Sequence, residues 1–233
     1  MDWALAASKS AILGGIALPV SIVIPTWRRR DLLARVLDSL ERQIERAARV
    51  IVVDNGSADG SAELARERGC AVIALADNRG FAAAVNLGLR AAETEFTAIL
   101  NNDVECAPDW LARLCGALQA ESGAWFACGK LLARDGRLDG AFDLLTRSCL
   151  AWRAGAGRAD GSPWDEPRSI ASAPMTAAVF RRSLFQRVGY LDEDYGSYYE
   201  DVDFGLRCAL AGCGGLYVPA ARAVHEGNAT LGG

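Results

Sequence analysis

Two asparagines and an aspartate, Asn101, Asn102 and Asp103, end an apolar, strand-like run that begins at Phe96. Open α/β sheets bind their ligands at the carboxyl ends of such strands. One carboxylate beside two amides suits a hard cation such as Mg²⁺ or Mn²⁺, itself partly coordinated by substrate phosphate. Asn and Asp are also common in turns after strands. The stretch therefore predicts either a metal site or a plain turn.

Three carboxylates, Glu200, Asp201 and Asp203, lie among aromatic residues at the start of a predicted helix that ends near Ala211. A helix N-terminus favours the charged form of acidic groups, so acidic capping is one interpretation. The other interpretation is general-base catalysis, in which a fixed carboxylate accepts the proton of an attacking hydroxyl. The residue types alone leave both interpretations open.

His225 is the single histidine of the chain. It follows residues 217–219, which are predicted to form a short strand and a turn. A lone histidine is commonly structural, but a neutral imidazole is also a frequent metal ligand. His225 is therefore a candidate ligand whose interpretation depends on the rest of the chain.

The elements that would position these residues alternate regularly in the first hundred residues. Apolar, β-branched runs are followed by segments whose apolar residues recur at helical spacing. This β-α-β-α-β-α-β order predicts an α/β fold with a doubly wound, mostly parallel sheet. The predicted strands are residues 20–24, 49–53, 71–75 and 96–100, and the predicted helices are residues 28–43, 59–68 and 82–92.

Right-handed crossovers place the ends of these four strands on one edge of the sheet. A polar residue follows each strand, so Thr26, Asp54, Asn78 and Asp103 are expected to gather at that edge. Four polar strand ends at one rim favour a ligand site over four unrelated turns.

Two common nucleotide-binding patterns are missing from this edge. A dinucleotide site needs Gly-x-Gly-x-x-Gly directly after the first strand, where residues 25–30 read Pro-Thr-Trp-Arg-Arg-Arg. The phosphate loop with the pattern Gly-x-x-x-x-Gly-Lys-Ser/Thr is absent from the sequence as well. The first absence argues against a dehydrogenase, and the second argues against a P-loop nucleoside triphosphatase.

The composition is that of a soluble globular protein. The 233 residues are 51% hydrophobic and carry a formal net charge of -4, which argues against nucleic acid as a partner. Seven scattered cysteines without a Cys-x-x-Cys pair predict buried free thiols in a reducing compartment. The apolar stretch 11–24 contains Pro19 and is shorter than the roughly 20 residues that span a bilayer. We therefore expect a cytoplasmic domain.

Four segments resemble the nucleotide half of family 2 glycosyltransferases. They are residues 20–26 (Val-Ser-Ile-Val-Ile-Pro-Thr), 52–57 (Val-Val-Asp-Asn-Gly-Ser), 78–81 (Asn-Arg-Gly-Phe) and 100–103 (Leu-Asn-Asn-Asp). The last is similar to the family's Asp-x-Asp metal motif, with Asn101 in the first place, where a neutral amide binds a divalent ion less strongly than a carboxylate. The resemblance implies one GT-A domain over residues 1–233, with a nucleotide-binding half (19–118) and an acceptor-side half (119–233).

The same resemblance implies roles for individual residues. Asp54 would hydrogen-bond the base of a nucleoside diphosphate sugar, and the backbone of Pro25 and Thr26 would line its nucleoside. Asp103 would hold Mg²⁺ or Mn²⁺ on the diphosphate, and His225 matches the place of a metal-binding histidine in the family. The other residues assigned to the donor are Asn78, Gly80 and Asn102.

Residues 198–204 resemble the family's Glu-Asp motif, whose aspartate is the catalytic base. The match implies that Asp201 is the base and that Glu200 positions the acceptor. Asp203 is the alternative base.

The remainder of the second half is less regular. Residues 134–174 show little periodicity, which predicts an irregular segment, either a functional loop or a disordered one. The family resemblance implies that this region helps to build the acceptor side. No contact residues are predicted there, and Trp152 and Trp164 would either stack on a sugar or serve as packing anchors. The predicted elements around this segment are helix 110–118, strand 124–132, strand 172–180 and helix 182–188.

The predicted function is that of an inverting, metal-dependent glycosyltransferase. Its partners would be a nucleoside diphosphate sugar and a glycan or lipid-linked acceptor, with peripheral association at the inner face of the membrane. Rhamnose or another deoxysugar, donated to a cell-surface polysaccharide, is the donor sugar that the resemblance suggests. Two alternatives are a non-catalytic module that binds nucleotide sugars and a nucleotidyltransferase.

Overall fold

The computed structural model describes residues 17–146, 150–172, 174–196 and 198–227. The first seven elements alternate between strand and helix as predicted, and their ends lie within two residues of the predicted ones. They are β1 (Leu18–Thr26), α1 (Arg30–Glu41), β2 (Ala47–Asp54), α2 (Ser61–Glu67), β3 (Ala71–Ala74), α3 (Phe81–Ala91) and β4 (Phe96–Leu100).

The second half contains the predicted elements and several short strands that were not predicted. The predicted strand 172–180 begins later, at Ala177, and the described residues between 138 and 170 form four strands of three residues each. The elements are β5 (Val104–Cys106), α4 (Trp110–Ala120), β6 (Phe126–Ala133), β7 (Leu138–Gly140), β8 (Asp143–Leu145), β9 (Ala151–Arg153), β10 (Arg168–Ile170), β11 (Ala177–Arg181), α5 (Arg182–Val188), a 3₁₀ turn (Glu193–Tyr195), α6 (Glu200–Leu210) and β12 (Gly215–His225).

One mixed sheet runs through both halves in the order β10-β12-β6-β11-β4-β1-β2-β3, with β5 beside β12 and β7 beside β6. The strands β1 to β4 pair in parallel, as do β6 and β12. The strand β11 runs antiparallel to both β4 and β6, and so joins the two parallel groups. The short strands β5, β7 and β10 also pair antiparallel with their neighbours. The sheet is therefore mixed, with the six strands β1 to β4, β6 and β12 running in one direction, so it is mostly parallel, as predicted.

Apolar side chains cover both faces of this sheet. In β1, Val20, Ile22 and Ile24 face one buried cluster while Val23 faces another. Alternate residues of a strand point to opposite faces, so a strand covered on both sides reads as a continuous apolar run. The helices α1, α2 and α4 pack on the first face, and α3, α5 and α6 supply apolar residues to the clusters of the second.

The turn predicted at residues 217–219 is wrong, because β12 continues through Pro219 to His225. The register between β12 and β6 shifts between Val218 and Arg222. Proline has no N–H for a sheet ladder and is tolerated at such irregularities. Residues 217–219 therefore belong to a continuous strand, and the proline coincides with a shift in register and not with a turn.

The thiol prediction holds for the cysteines that the structure describes. Five of these six free cysteines are buried and Cys70 is half-buried, whereas Cys149 lies outside the described residues. Burial raises the pKa of Cys70 to about 11 and that of Cys115 to about 12. These thiols therefore stay protonated near neutral pH.

None of the helices in the described ranges is long and apolar enough to cross a membrane. Of the apolar stretch 11–24, residues 18–24 belong to β1, and residues 11–16 lie outside the described part of the chain.

The closest approach of β6 to β12 gives a test of the fold. A Cβ atom at Gly129 would lie 1.9 Å from the backbone oxygen of Ala221. Because neither strand can move without disturbing the ladder, we expect Gly129→Ala to destabilise the protein by about 1–3 kcal/mol or more. Thermal unfolding would show this loss as a fall in Tm of at least a few degrees.

Gly116→Ala is the matched control, since this exposed glycine lies inside α4 and a Cβ there would meet nothing within 4 Å. Alanine in a helix interior is expected to stabilise by about 0.5–1 kcal/mol relative to glycine. Equal Tm values for Gly129→Ala and the wild type would contradict the packing described for β6 and β12.

Candidate functional site

A cavity of about 570 Å³ opens at the carboxyl ends of the parallel strands, a volume within the usual range for small-molecule sites. The nucleotide half lines it with residues at the end of β1 and after β1, β2, β3 and β4, and the second half closes the opposite wall. The lining includes Pro25, Thr26, Asn55, Asn78, Asn101, Asn102, Asp103, Asp139, Arg153, Thr176, Tyr198, Glu200, Asp201 and His225.

Hydrogen bonds between side chains fix the wall on the nucleotide side. Asn102 Nδ2 donates to Thr26 Oγ1 at 2.9 Å, so the ends of β1 and β4 are held together. Asn55 Nδ2 donates to Asn78 Oδ1 at 2.8 Å and to the carbonyl oxygen of Gly80 at 3.0 Å. Asn55 was not among the predicted site residues, although it directly follows Asp54 in the segment 52–57 that resembles the glycosyltransferase family.

Asp54 and Gly80 are predicted to bind the nucleoside diphosphate sugar, but neither is among the residues that line the cavity. Asp54 is buried, and its Oδ1 accepts a hydrogen bond from Ser57 N at 3.0 Å, which shapes the loop after β2. Gly80 has a φ of 86°, and a Cβ there would lie 2.7 Å from the backbone oxygen of Gly196. The same oxygen accepts a hydrogen bond from Phe81 N at 3.1 Å. The contact of Asp54 with the base stays a prediction.

Asp103 and His225 meet although they lie in different halves of the chain. The last residue of β12, His225, pairs with Val104 of β5, which places it beside the loop after β4. His225 Nε2 lies 3.3 Å from Asp103 Oδ2, and His225 Nδ1 lies 3.0 Å from Asp139 Oδ2. The imidazole therefore sits between two carboxylates.

This setting decides the charge of the imidazole when no ion is bound. Burial lowers the pKa of His225, but the hydrogen bonds and charges of Asp103 and Asp139 outweigh burial and raise it to about 9. Burial alone would raise the pKa of the Asp139 carboxyl, but His225 and Arg153 outweigh burial, so this pKa is lowered. A metal ion at Nε2 would have to displace a proton.

The side-chain atoms that converge here suit a hard cation whose remaining ligands would be oxygens of phosphate and water. No group of three or more His, Cys, Asp or Glu residues that could hold a metal occurs within the described ranges. Asp103 and His225 converge in the cavity, and Asn101 Oδ1 is buried there without a hydrogen-bond partner among the described atoms. Mg²⁺ commonly uses only one or two protein carboxylates beside substrate phosphates.

Glu200 and Asp201 line the same cavity at the start of α6. Glu200 is buried, and its Oε2 has no hydrogen-bond partner within the described part of the chain. Burial, more than any other influence, raises the pKa of Glu200. Asp201 is half-buried, and its Oδ1 accepts a hydrogen bond from Val202 N at 2.8 Å.

Asp203, the alternative base, does not line the cavity. Its Oδ2 accepts from Arg207 Nη2 at 2.7 Å, and Arg207 also donates to the backbone oxygens of Val188 and Tyr190. Asp203 thus belongs to an ion pair on the outer side of α6. The geometry favours Asp201 over Asp203 as the acidic group that a ligand can reach.

Two successive tyrosines lead into α6 with left-handed backbones. Tyr198 has a φ of 74° and Tyr199 a φ of 71°, a conformation that residues other than glycine seldom adopt. Their side chains are 61% and 68% exposed, and Tyr198 lines the cavity. Strained residues of this kind concentrate at functional sites.

The segment 134–174 contributes two charged residues that sequence reasoning missed. Asp139 of β7 and Arg153 of β9 line the cavity, and Arg153 Nη1 donates to Asp139 Oδ2 at 2.9 Å. Arg153 Nη2 also donates to Thr176 Oγ1 at 3.2 Å. Strands of three residues carry no readable periodicity, so nothing in the sequence marked these positions.

The two tryptophans of that segment differ in their surroundings. Trp164 is partly buried and packs against the second apolar cluster, as a packing anchor would. Trp152 is 52% exposed and is not among the cavity residues. Sugar stacking by Trp152 stays a prediction.

Sequence comparisons connect this site with known families and proteins. The family described as Glycosyl transferase family 2 matches residues 21–189, and Glycosyl transferase family group 2 matches residues 167–230. An N-acetylglucosaminyl-diphospho-decaprenol L-rhamnosyltransferase of Mycobacterium tuberculosis is 30% identical in an alignment of 236 positions that covers 88% of this chain and 75% of the relative. The pre-mycofactocin glycosyltransferase of the same organism is 31% identical in an alignment of 223 positions that covers 91% of this chain and 43% of the relative.

Solved structures share the fold. The structure of GalNAc-T7 with UDP, GalNAc and Mn²⁺ superposes with a TM-score of 0.72 at 17% identity, over 91% of this chain and 44% of that one. The mannosyltransferase PcManGT from Pyrobaculum calidifontis, in complex with GDP-Man and Mn²⁺, gives a TM-score of 0.64 at 19% identity, over 95% of this chain and 61% of that one. The chain therefore spans less than two thirds of both structures.

Proposed function

Because the chain belongs to glycosyl transferase family 2 and has the GT-A fold, it is an enzyme that transfers sugar, and we propose that it moves a sugar from a nucleoside diphosphate sugar to a lipid-linked acceptor. One observation carries the proposal. A single cavity is lined by a possible cation-binding pair, Asp103 and His225, and by a possible base, Asp201, which come from separate parts of the chain.

The nucleotide half would bind the donor. The fixed wall of Thr26, Asn78 and Asn102 offers polar groups whose positions are set before a ligand arrives, and such preorganisation lowers the cost of binding. The two solved neighbours contain UDP and GDP-Man, which supports a nucleoside diphosphate donor. In this proposal Pro25 lines the nucleoside, Asp54 hydrogen-bonds the base, and Gly80 shapes the turn beside them.

Asp103 and His225 would hold Mg²⁺ or Mn²⁺ against the diphosphate. Such an ion supplies positive charge that stabilises the leaving group as it departs. Both solved neighbours contain Mn²⁺, which supports this choice of cation. Arg153 adds a guanidinium to the same cavity, and guanidinium groups bind phosphate strongly.

Asp201 would accept the proton of the acceptor hydroxyl while the hydroxyl oxygen attacks the anomeric carbon of the donor sugar. Attack from the face opposite the diphosphate inverts the configuration at that carbon in one displacement. Glu200, with a buried carboxyl oxygen free of described partners, would orient the acceptor through a hydrogen bond. Protonation of Glu200, which burial favours, would allow it to donate that bond.

One relative supports the proposed class of acceptor. The rhamnosyltransferase of M. tuberculosis is named for a diphospho-decaprenol substrate, which supports an acceptor carried on a lipid diphosphate and rhamnose as the transferred sugar. In this proposal the reaction takes place at the inner face of the membrane, where the chain would associate peripherally, and the product would enter a cell-surface polysaccharide.

A two-step experiment tests the proposal. Thermal shifts with a panel of nucleotide sugars and Mn²⁺ identify the donor, since a ligand at 100 times its Kd stabilises the native state by about 2.7 kcal/mol. Mass spectrometry then follows transfer to a prenyl-diphosphate-linked N-acetylglucosamine. Binding without transfer to any acceptor would instead indicate a non-catalytic module. Pyrophosphate release from a nucleoside triphosphate and a sugar phosphate would indicate a nucleotidyltransferase.

A further inference from the structure

A single carboxylate oxygen joins two cationic groups of the cavity. Asp139 Oδ2 lies 3.0 Å from His225 Nδ1 and accepts a hydrogen bond from Arg153 Nη1 at 2.9 Å. The other imidazole nitrogen of His225 lies 3.3 Å from Asp103. These contacts form a continuous chain of charges from the loop after β4 to the hairpin of β8 and β9.

The backbone at Asp139 is irregular in a way that sets this contact. The strand β6 lies between β7 and β12, and Leu131 pairs with Gly140 while the next residue, Leu132, pairs with Leu138. Asp139 is therefore an extra residue that has no partner of its own in the ladder. Bulges of this kind redirect a side chain and often occur beside active sites.

We propose that Asp139 is a positioning residue: its carboxylate holds Nδ1 of His225 and Nη1 of Arg153, and so aims His225 Nε2 at the metal position beside Asp103. A carboxylate behind a ligating imidazole fixes the tautomer and the orientation of the ring. This inference rests on the proposed function, because it assigns Asp103 and His225 to a divalent cation.

The alternative is that Asp139 only ties β7 to the rest of the fold. A purely structural link predicts a loss of stability on substitution, without a specific change at the imidazole or in the affinity for metal. A positioning residue predicts both specific changes in a protein that is still folded. The test must therefore observe the ring itself.

The chain offers a direct probe, because His225 is its only histidine. Protein labelled with ¹⁵N-histidine, and made with a tag that lacks histidine, gives imidazole signals from one ring alone. In the wild type we expect a slowly exchanging Nδ1–H signal, since that proton is held by Asp139. In Asp139→Ala we expect the signal to disappear through exchange with water, while the backbone amide spectrum stays that of a folded protein.

The second measurement is Mn²⁺ affinity by electron paramagnetic resonance, in the presence of UDP or GDP, whichever stabilises the wild type more. Loss of a carboxylate behind a metal-binding histidine commonly weakens metal affinity by about 10- to 100-fold. We expect a loss near the upper end for Asp139→Ala and near the lower end for Asp139→Asn, which keeps an acceptor oxygen. If the alanine variant does not fold, the asparagine variant decides the question.

Asp135→Ala is the matched control, because Asp135 is exposed four residues earlier and its contacts with Arg137 are local, an ion pair at 3.8 Å and a hydrogen bond from Arg137 N to its Oδ1 at 2.9 Å. It should leave both measurements unchanged. The proposal is overturned if folded Asp139 variants keep the Nδ1–H signal and bind Mn²⁺ within twofold of the wild type. A wild type that shows no Mn²⁺-dependent nucleotide binding would count against the proposed metal, and the imidazole spectrum would still test the contact with Asp139.

Discussion

Asp201→Asn is expected to lower the rate of sugar transfer by about 10²- to 10⁴-fold, the usual contribution of a general base. The amide keeps the size of the side chain and the hydrogen bond to Val202 N, but it cannot take up the proton of the acceptor hydroxyl. Donor affinity, measured by calorimetry, should stay close to that of the wild type, because Asp201 acts on the acceptor.

Asp203→Asn provides the comparison for that prediction. Both substitutions remove one carboxylate from the first turn of α6, but Asp203 is paired with Arg207 and does not line the cavity. Its loss is expected to cost only about 0.3–0.5 kcal/mol of stability, as for other ion pairs four residues apart, and to leave transfer nearly intact. Full activity of Asp201→Asn would show that Asp201 is not the base. If only Asp203→Asn is inactive, the base is Asp203.

Asp103→Ala is expected to have an effect of similar size through the leaving group. A catalytic metal ion contributes several kcal/mol of charge stabilisation, and the loss of about 4 kcal/mol corresponds to roughly 10³-fold in rate. In the wild type, chelation of the divalent ion should abolish transfer and weaken donor binding. In Asp103→Ala, donor binding should already be weak.

The informative quantity is the coupling between the two treatments. If Asp103 acts through the metal, chelation should weaken donor binding by the wild type but add little to the defect of Asp103→Ala, since both remove the same interaction. Asp109→Ala serves as the control, because this acidic residue forms an ion pair with Arg113 and is absent from the cavity lining. Equal sensitivity of Asp103→Ala and the wild type to chelation would rule out Asp103 as the metal-binding carboxylate.

The nucleotide half could be predicted from sequence because its signals are local. Each strand of that half is a short apolar run, each helix has helical spacing, and the polar residues at the strand ends needed only parallel pairing to come together. Thr26 and Asn102, which end or follow neighbouring strands, do touch. Asp54 shows the limit of this reasoning, since it ends β2 as predicted but accepts a hydrogen bond from Ser57 N of its own loop and does not line the cavity.

The second half could not be predicted to the same depth because its contacts join residues that are far apart in sequence. Asp139 and His225 are 86 residues apart, and they meet because β7 and β12 flank the same strand, β6. Arg153 belongs to a strand of three residues, too short for any periodic pattern. The roles of Glu200 and Asp201 came from a motif, whereas their access to a shared cavity required the fold.

The contact between Gly80 and Gly196 has a thermodynamic consequence. The turn that carries Asn78 and the lead-in to α6 are joined by the hydrogen bond from Phe81 N to Gly196 O, with no room for a side chain at Gly80. A donor that shifts the turn must therefore also shift the approach to Asp201. Linkage makes such coupling reciprocal, so the factor by which bound donor alters acceptor affinity equals the factor by which bound acceptor alters donor affinity.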